Sequence, residues 1–168
     1  MPNWCDNSIT LSNSDKTKID ALEAELSKKD DKGYNDASPF NHLRPNPAGE
    51  WQYDWSVSNW GTKWDADIYD WSREDDNTIF ISCGTAWSPP IYLYDYLVET
   101  GWNVTALYNE PGMGFCGTYD NENGDEYYEY NISDLESIEA LPEDCIDFGG
   151  LRDEHEYWKE SQEEEEDV

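Results

Sequence analysis

Basic residues are what this sequence has least of: 10 Lys and Arg stand against 39 Asp and Glu in 168 residues, a formal net charge of −29. Residues 74–151 carry 17 acids and not one Lys or Arg. Residues 1–32 hold 5 bases and 7 acids, so nearly the whole excess lies beyond them. Ordinary soluble domains mix both signs because a one-signed surface repels itself. Phosphate binding depends on Lys and Arg, so this scarcity argues against nucleic acid or anionic lipid as a direct ligand. The attractive partners of such a surface are basic. Adaptation to high salt fits poorly, since the chain is rich in Asn, Tyr and Trp rather than Ala and Val.

Other things are missing too. No run approaches the ~18 apolar residues of a membrane span, and no basic-then-apolar leader opens the chain, so the expected location is cytoplasmic. Cys5, Cys83, Cys116 and Cys145 are widely spaced without a C-x-x-C pair, which predicts buried free thiols rather than disulfides or a zinc site. No Gly-rich loop has the spacing to cradle phosphates. The two histidines, His42 and His155, have no third group legible beside them; Cys5 with His42 is the one conceivable nucleophile pair, and a surface His and a buried thiol account for both. Asp65, Asp67 and Asp70, and the acidic turn at residues 120–126, lack EF-hand spacing, so no metal site or cofactor is expected.

What is present is an aromatic load of 9 Trp, 12 Tyr and 4 Phe, enough to build a core in a chain otherwise polar enough to be disordered. One domain suits this length. Residues 5–11 alternate, with Cys5, Ile9 and Leu11 on one face, as in a half-buried strand. Ser14 is the expected cap of a helix with Ile19, Leu22 and Leu26 on its buried stripe, ending at residues 30–33. Residues 34–65 form a long aromatic-rich insertion broken by Pro39, Pro45, Pro47 and Gly49. Residues 67–71 and 78–83 read as a hairpin, Ser88-Pro89 as the start of a second helix, and residues 102–108 as a strand. A further hairpin over residues 114–119 and 125–130 turns at Asn123-Gly124. Residues 132–140 suit a short helix. The predicted fold class is therefore α+β: a ferredoxin-like split βαβ (β-α-β-β-α-β) antiparallel sheet with its helices on one face, the insertion, and an added C-terminal hairpin. The predicted domain covers residues 1–150, with an acidic solvated tail over residues 151–168.

Four segments carry a resemblance: Asn3-Trp4-Cys5-Asp6-Asn7, Asn59-Trp60-Gly61-Thr62-Lys63-Trp64-Asp65, Thr85-Ala86-Trp87-Ser88-Pro89-Pro90, and Glu110-Pro111-Gly112-Met113-Gly114-Phe115-Cys116-Gly117. Together, over roughly residues 1–130, the chain resembles the YubB-type ferredoxin-like domain family of bacteriophages and conjugative plasmids. The resemblance implies that fold and a mobile-element origin, and it brings no catalytic roles. The acidity and the Glu-rich end lie outside the shared pattern.

Two candidate sites follow. The first is a cleft at one end of the sheet, where Trp60, Trp64 and Trp87 can stack on a planar ligand, Lys63 can pair with an anion, and Asp65 or Glu110 can take a hydrogen-bonding or acid/base role. The competing reading is a structural cap with Lys63 paired to Asp65 or Glu110. The second is an acidic face: Asp120, Glu122, Asp125, Glu126 and Glu129 with Tyr127 and Tyr128, joined by Glu163, Glu164, Glu165 and Glu166, and with Tyr69, Tyr119 and Tyr130 as further anchors. A globule of this length is roughly 40 Å across. About half of its excess charge then matches the phosphates along roughly 22 Å of duplex. The expected activity is non-enzymatic: binding and inhibition of a basic host nucleic-acid-binding protein, such as a restriction or CRISPR component, by offering carboxylates in place of phosphates. The alternatives are a small-ligand-binding or enzymatic domain using the Trp cleft, and an accessory protein whose acidity only keeps it soluble. Oligomeric state is left open.

Overall fold

The computed structural model describes residues 2–166. Six strands, β1 (Trp4–Ser12), β2 (Asp67–Asp75), β3 (Thr78–Ala86), β4 (Asn103–Glu110), β5 (Phe115–Asp120) and β6 (Gly124–Glu129), form one sheet in the order β2-β3-β1-β4-β5-β6. Every neighbouring pair is antiparallel. Helix α1 (Lys16–Leu26) follows β1; α2 (Pro39–Leu43) and α3 (Tyr53–Asn59) lie in the insertion; α4 (Ile91–Glu99) joins β3 to β4; α5 (Leu135–Glu139), α6 (Glu143–Gly149) and α7 (Leu151–Glu166) close the chain. The chain is thus a mixed α+β protein.

Alternation along the strands divides the apolar side chains between two cores. On one face, Ile9, Leu11, Ile79, Ile81, Val104 and Ala106 pack against Ile19, Leu22 and Leu26 of α1 and Leu93, Tyr94 and Leu97 of α4, with Phe40 and Trp60 of the insertion joining them. Cys116, Tyr130, Ile138, Cys145, Ile146 and Leu151 form the second core, backed by Leu107 of β4. Leu107 and Cys116 have the opposite parity to Ala106 and Tyr119, so α5 to α7 cover the other face of β4 and β5. Helices on one face therefore holds for α1 and α4 and fails for α5 to α7. The 151–168 stretch expected as a tail is helical from Leu151 to Glu166, and Leu151 and His155 are buried, so its first turns belong to the second core.

Local chemistry moves several other boundaries. Asp15, not Ser14, caps α1, because its carboxylate accepts from both the amide (3.0 Å) and the hydroxyl (2.6 Å) of Thr17. Helix α4 starts at Ile91 rather than at Ser88, whose hydroxyl instead donates to the Gly61 carbonyl at 2.6 Å. Strand β2 runs on to Asp75 through two irregularities in its pairing with β3. Gly124, at φ +64°, opens β6 from a left-handed conformation that favours glycine. All four cysteines are free and buried.

Candidate functional site

The four quoted segments meet at one end of the sheet. The pairings Trp4 with Ala86, Asp67 with Gly84 and Glu110 with Phe115 put the start of β1, the start of β2, the end of β3 and the β4–β5 turn side by side. Backbone and side-chain bonds knit them together. The Trp87 amide donates to the Asn3 carbonyl (2.9 Å), the Thr62 hydroxyl to the Ala86 carbonyl (2.9 Å), and the Asn7 amide group to the Thr85 hydroxyl (2.9 Å). Asn7 and Thr85 are buried, so these bonds replace hydration lost in folding.

The six residues of the expected cleft do not converge on one ligand. Trp60 is 3% exposed, packs edge-on against Phe40 and Trp55 at 5.9 and 5.5 Å, and donates from Nε1 to the Arg44 carbonyl. It is core. Asp65 accepts from the Phe40 and Ala66 amides on Oδ1 and from Asn41 on Oδ2. Burial nevertheless raises its carboxyl to about 6, against those three bonds. Lys63 pairs with neither Asp65 nor Glu110; its ammonium sits 4.4 Å from the Trp64 ring centroid. Trp64 in turn lies 6.2 Å from Trp4. Glu110, 1% exposed, turns back on its own loop and accepts from Gly112 (2.7 Å) and Met113 (3.0 Å). Trp87 is half exposed at φ +71°, a left-handed conformation that costs a bulky residue roughly 1–2 kcal/mol. Trp60 and Asp65 do share a cavity of about 220 Å³ inside the insertion with Asn41, Trp51 and Ser56. The Ser56 hydroxyl there is buried and has no partner among the described residues.

At the far edge, the β5–β6 hairpin gathers the acids. Asp120 accepts from the Glu122 and Asn123 amides and so folds the turn. Tyr127 donates to Glu129, Tyr128 to Glu126, and Tyr108 to Asp125 at 2.6 Å. Among the described residues, Asp120, Glu122, Asp125, Glu126 and Glu129 form no ion pair with a Lys or Arg. Glu163, Glu164 and Glu165 are exposed on α7, and the Glu166 side chain lies outside the described residues. Two of the three further anchors are not surface residues. Tyr119 packs at a tilt against Tyr94, centroids 5.1 Å apart, and donates to Asp95, and Tyr130 donates to Asn109. Tyr69 is exposed and donates to Asp6.

The other sequence candidates separate. Cys5 lies fully buried in β1, where burial pushes its thiol far above the ordinary range, whereas His42 is exposed on α2. His155 is not a surface residue: its Nδ1 lies 2.6 Å from the Ile132 carbonyl and its ring stacks on Trp158. Sequence reading missed Tyr92, Tyr108 and Phe115, which line a second cavity with Asp125 and Tyr127. The signal was the same-face set Phe115, Gly117 and Tyr119, which the hairpin register places opposite Glu129, Tyr127 and Asp125.

No family model and no curated protein matches the chain. Among solved structures, the crystal structure of a protein api92 from Yersinia pseudotuberculosis, family-model DUF1281, is similar with a TM-score of 0.50 at 10% identity, over 78% of this chain and 99% of that one. At that identity the likeness concerns the fold alone.

Proposed function

We propose that this chain is a non-enzymatic accessory protein of a bacteriophage or conjugative plasmid, built on a YubB-type ferredoxin-like core, that binds and blocks a basic nucleic-acid-handling host protein. The strand order β2-β3-β1-β4, with α1 and α4 packed on the same face, supports the split-βαβ core. One observation carries the functional reading: carboxylates at the β5–β6 edge have no cationic partner among the described residues, while Arg73 and Lys16 sit toward the opposite edge. A one-signed edge steers a basic protein toward itself and offers its phosphate groove a substitute polyanion. Pull-down at low salt followed by challenge with duplex DNA tests this. The expected result is a Lys/Arg-rich nucleic-acid-binding protein released by DNA. Recovery of no basic protein, or of one that DNA does not displace, overturns it.

A second reading rests on the Ser56 hydroxyl. A small polar ligand in the Trp60/Asp65 cavity would satisfy it, and titration of intrinsic Trp fluorescence with sugars, nucleosides and amines tests that occupancy. An unchanged emission across the panel removes this reading.

A further inference from the structure

Helix α4 covers β4 but leaves the same face of β6 open. Between its first turn and the hairpin lies a cavity of about 340 Å³, at the lower end of the ~300–1,000 Å³ typical of small-ligand sites. Its walls are aromatic. Phe115 and Tyr127 lie 5.3 Å apart at 37°, Tyr108 meets Phe115 at 6.2 Å, and Tyr92 completes the lining from α4. Tyr92 and Tyr127 are 55% and 51% exposed, which leaves ring surface uncovered in a place where an ordinary core would close it. One carboxylate enters this cavity. Asp125 accepts from the Tyr108 hydroxyl on Oδ1, and its Oδ2 takes no hydrogen bond among the described residues. Asp95 stands near enough to raise the Asp125 carboxyl further, after burial, and Glu129 holds the Tyr127 hydroxyl at the rim.

Ring faces present negative charge to a ligand, and the carboxylates add to it, so the cavity repels anions and selects a cation. A neutral apolar ligand would leave Asp125 Oδ2 desolvated and unpaired. We propose that the cavity receives one arginine side chain of the basic partner, its guanidinium stacked on the Tyr127 or Tyr92 ring and donating to Asp125 Oδ2. A planar, weakly hydrated guanidinium suits a flat ring beside a carboxylate better than a compact ammonium does. The molecule already uses this pairing one turn further along α4, where Arg44 lies 4.5 Å from the Tyr96 ring centroid. The inference deepens the proposed function and rests on it for the source of the arginine.

The test titrates the full chain with Nα-acetyl-arginine methylamide, following the ring resonances of Tyr92, Phe115 and Tyr127 by NMR. Saturable shifts are expected, at least about tenfold weaker for Asp125→Asn and Tyr127→Ala, and absent with the neutral citrulline counterpart. Asp125→Asn retains an acceptor for Tyr108, so its melting temperature checks that the fold is intact. Equal shifts from citrulline, no saturation, or full affinity in Asp125→Asn would overturn the proposal, and tighter binding of the lysine or trimethyllysine amide would replace its occupant. The two readings fail separately. If the arginine amide binds while no basic protein does, polyanion mimicry fails and the pocket remains a cation site. If DNA-displaceable proteins bind Asp125→Asn and Tyr127→Ala as they bind the parent chain, the pocket inference fails alone.

Discussion

The two edges of the sheet use carboxylates in opposite ways. Near β2, Asp20 and Glu23 of α1 are engaged by Arg73 at 2.8 and 2.5 Å, and Lys16 adds a second hold on Asp20. The acids there clamp α1 to the sheet, and Asp20 is held below the usual carboxylate range by Arg73 and then Lys16. Across the sheet, the acids of β5 and β6 are held by tyrosine hydroxyls and turn amides instead. Neutral donors fix a carboxylate's position without cancelling its charge, so geometry is settled while the field remains. The same residue types act as fasteners at one edge and as presented charge at the other.

The largest expected effect breaks this contrast directly. Neutralising Asp120, Glu122, Asp125, Glu126 and Glu129 together to their amides should weaken capture of a basic partner at low salt by about 100-fold, mostly through the association rate. Asp20→Asn with Glu23→Gln should leave capture unchanged and move the urea midpoint only slightly, because exposed ion pairs contribute little. Surface-based binding kinetics at two salt concentrations, with urea melts of both variants, separate these outcomes.

Two glycines sharpen the comparison at the level of packing. A methyl at Gly117 of β5 would overlap the Tyr108 phenol and the Glu126 carbonyl, and neither has room to move; Gly117→Ala should cost about 1–3 kcal/mol in urea denaturation. At Gly84 of β3 the nearest obstacle is the hydroxyl end of the exposed Tyr69, which can swing aside, so Gly84→Ala should cost clearly less. Buried Glu110 offers an intermediate case. Glu110→Gln replaces one acceptor with a donor facing the Gly112 or Met113 amide, for an expected loss of about 1–3 kcal/mol.

The effect confined to the narrowest conditions is in pH. Burial raises the folded-state Asp65 carboxyl to about 6 from its ordinary value of 3.8, so the folded chain binds its proton more tightly than the unfolded one. Its contribution to stability is full below about pH 4 and is lost as pH rises through 6. Asp20, Glu139 and Glu143 run the other way, because Arg73 and Arg152 hold them low, and their contribution fades as pH falls below the ordinary carboxylate range. A melting-temperature profile of Asp65→Asn should therefore be flatter than the parent's between pH 4 and 6.

Much of the first core was readable because β1 alternates cleanly and α1 carries Ile19, Leu22 and Leu26 at helical spacing. The second core was not. Its helix α6 supplies only Cys145 and Ile146 fully buried among acids, too few for a period to stand out, and α5 is a single short turn region of five residues. The charge of residues 151–166 hid Leu151 and His155, four apart, which anchor α7. The Trp cluster was legible as a set that the fold would bring to one end, but which rings face inward depends on the path of the insertion, and no local pattern states it. Trp60 fell into the core, Trp64 onto Trp4, and Trp87 into solvent.

Helix α7 ends in a way that gives it a further behaviour. Its last turn has Glu residues and no base, so carboxylates crowd the negative pole of the helix and repel one another at three- and four-residue spacing. Near neutral pH these turns are biased to fray. A cationic surface laid against them would relieve the repulsion and wind them tighter, so helical ellipticity should climb on adding polyarginine. The end of this helix would then report contact with positive charge by gaining order.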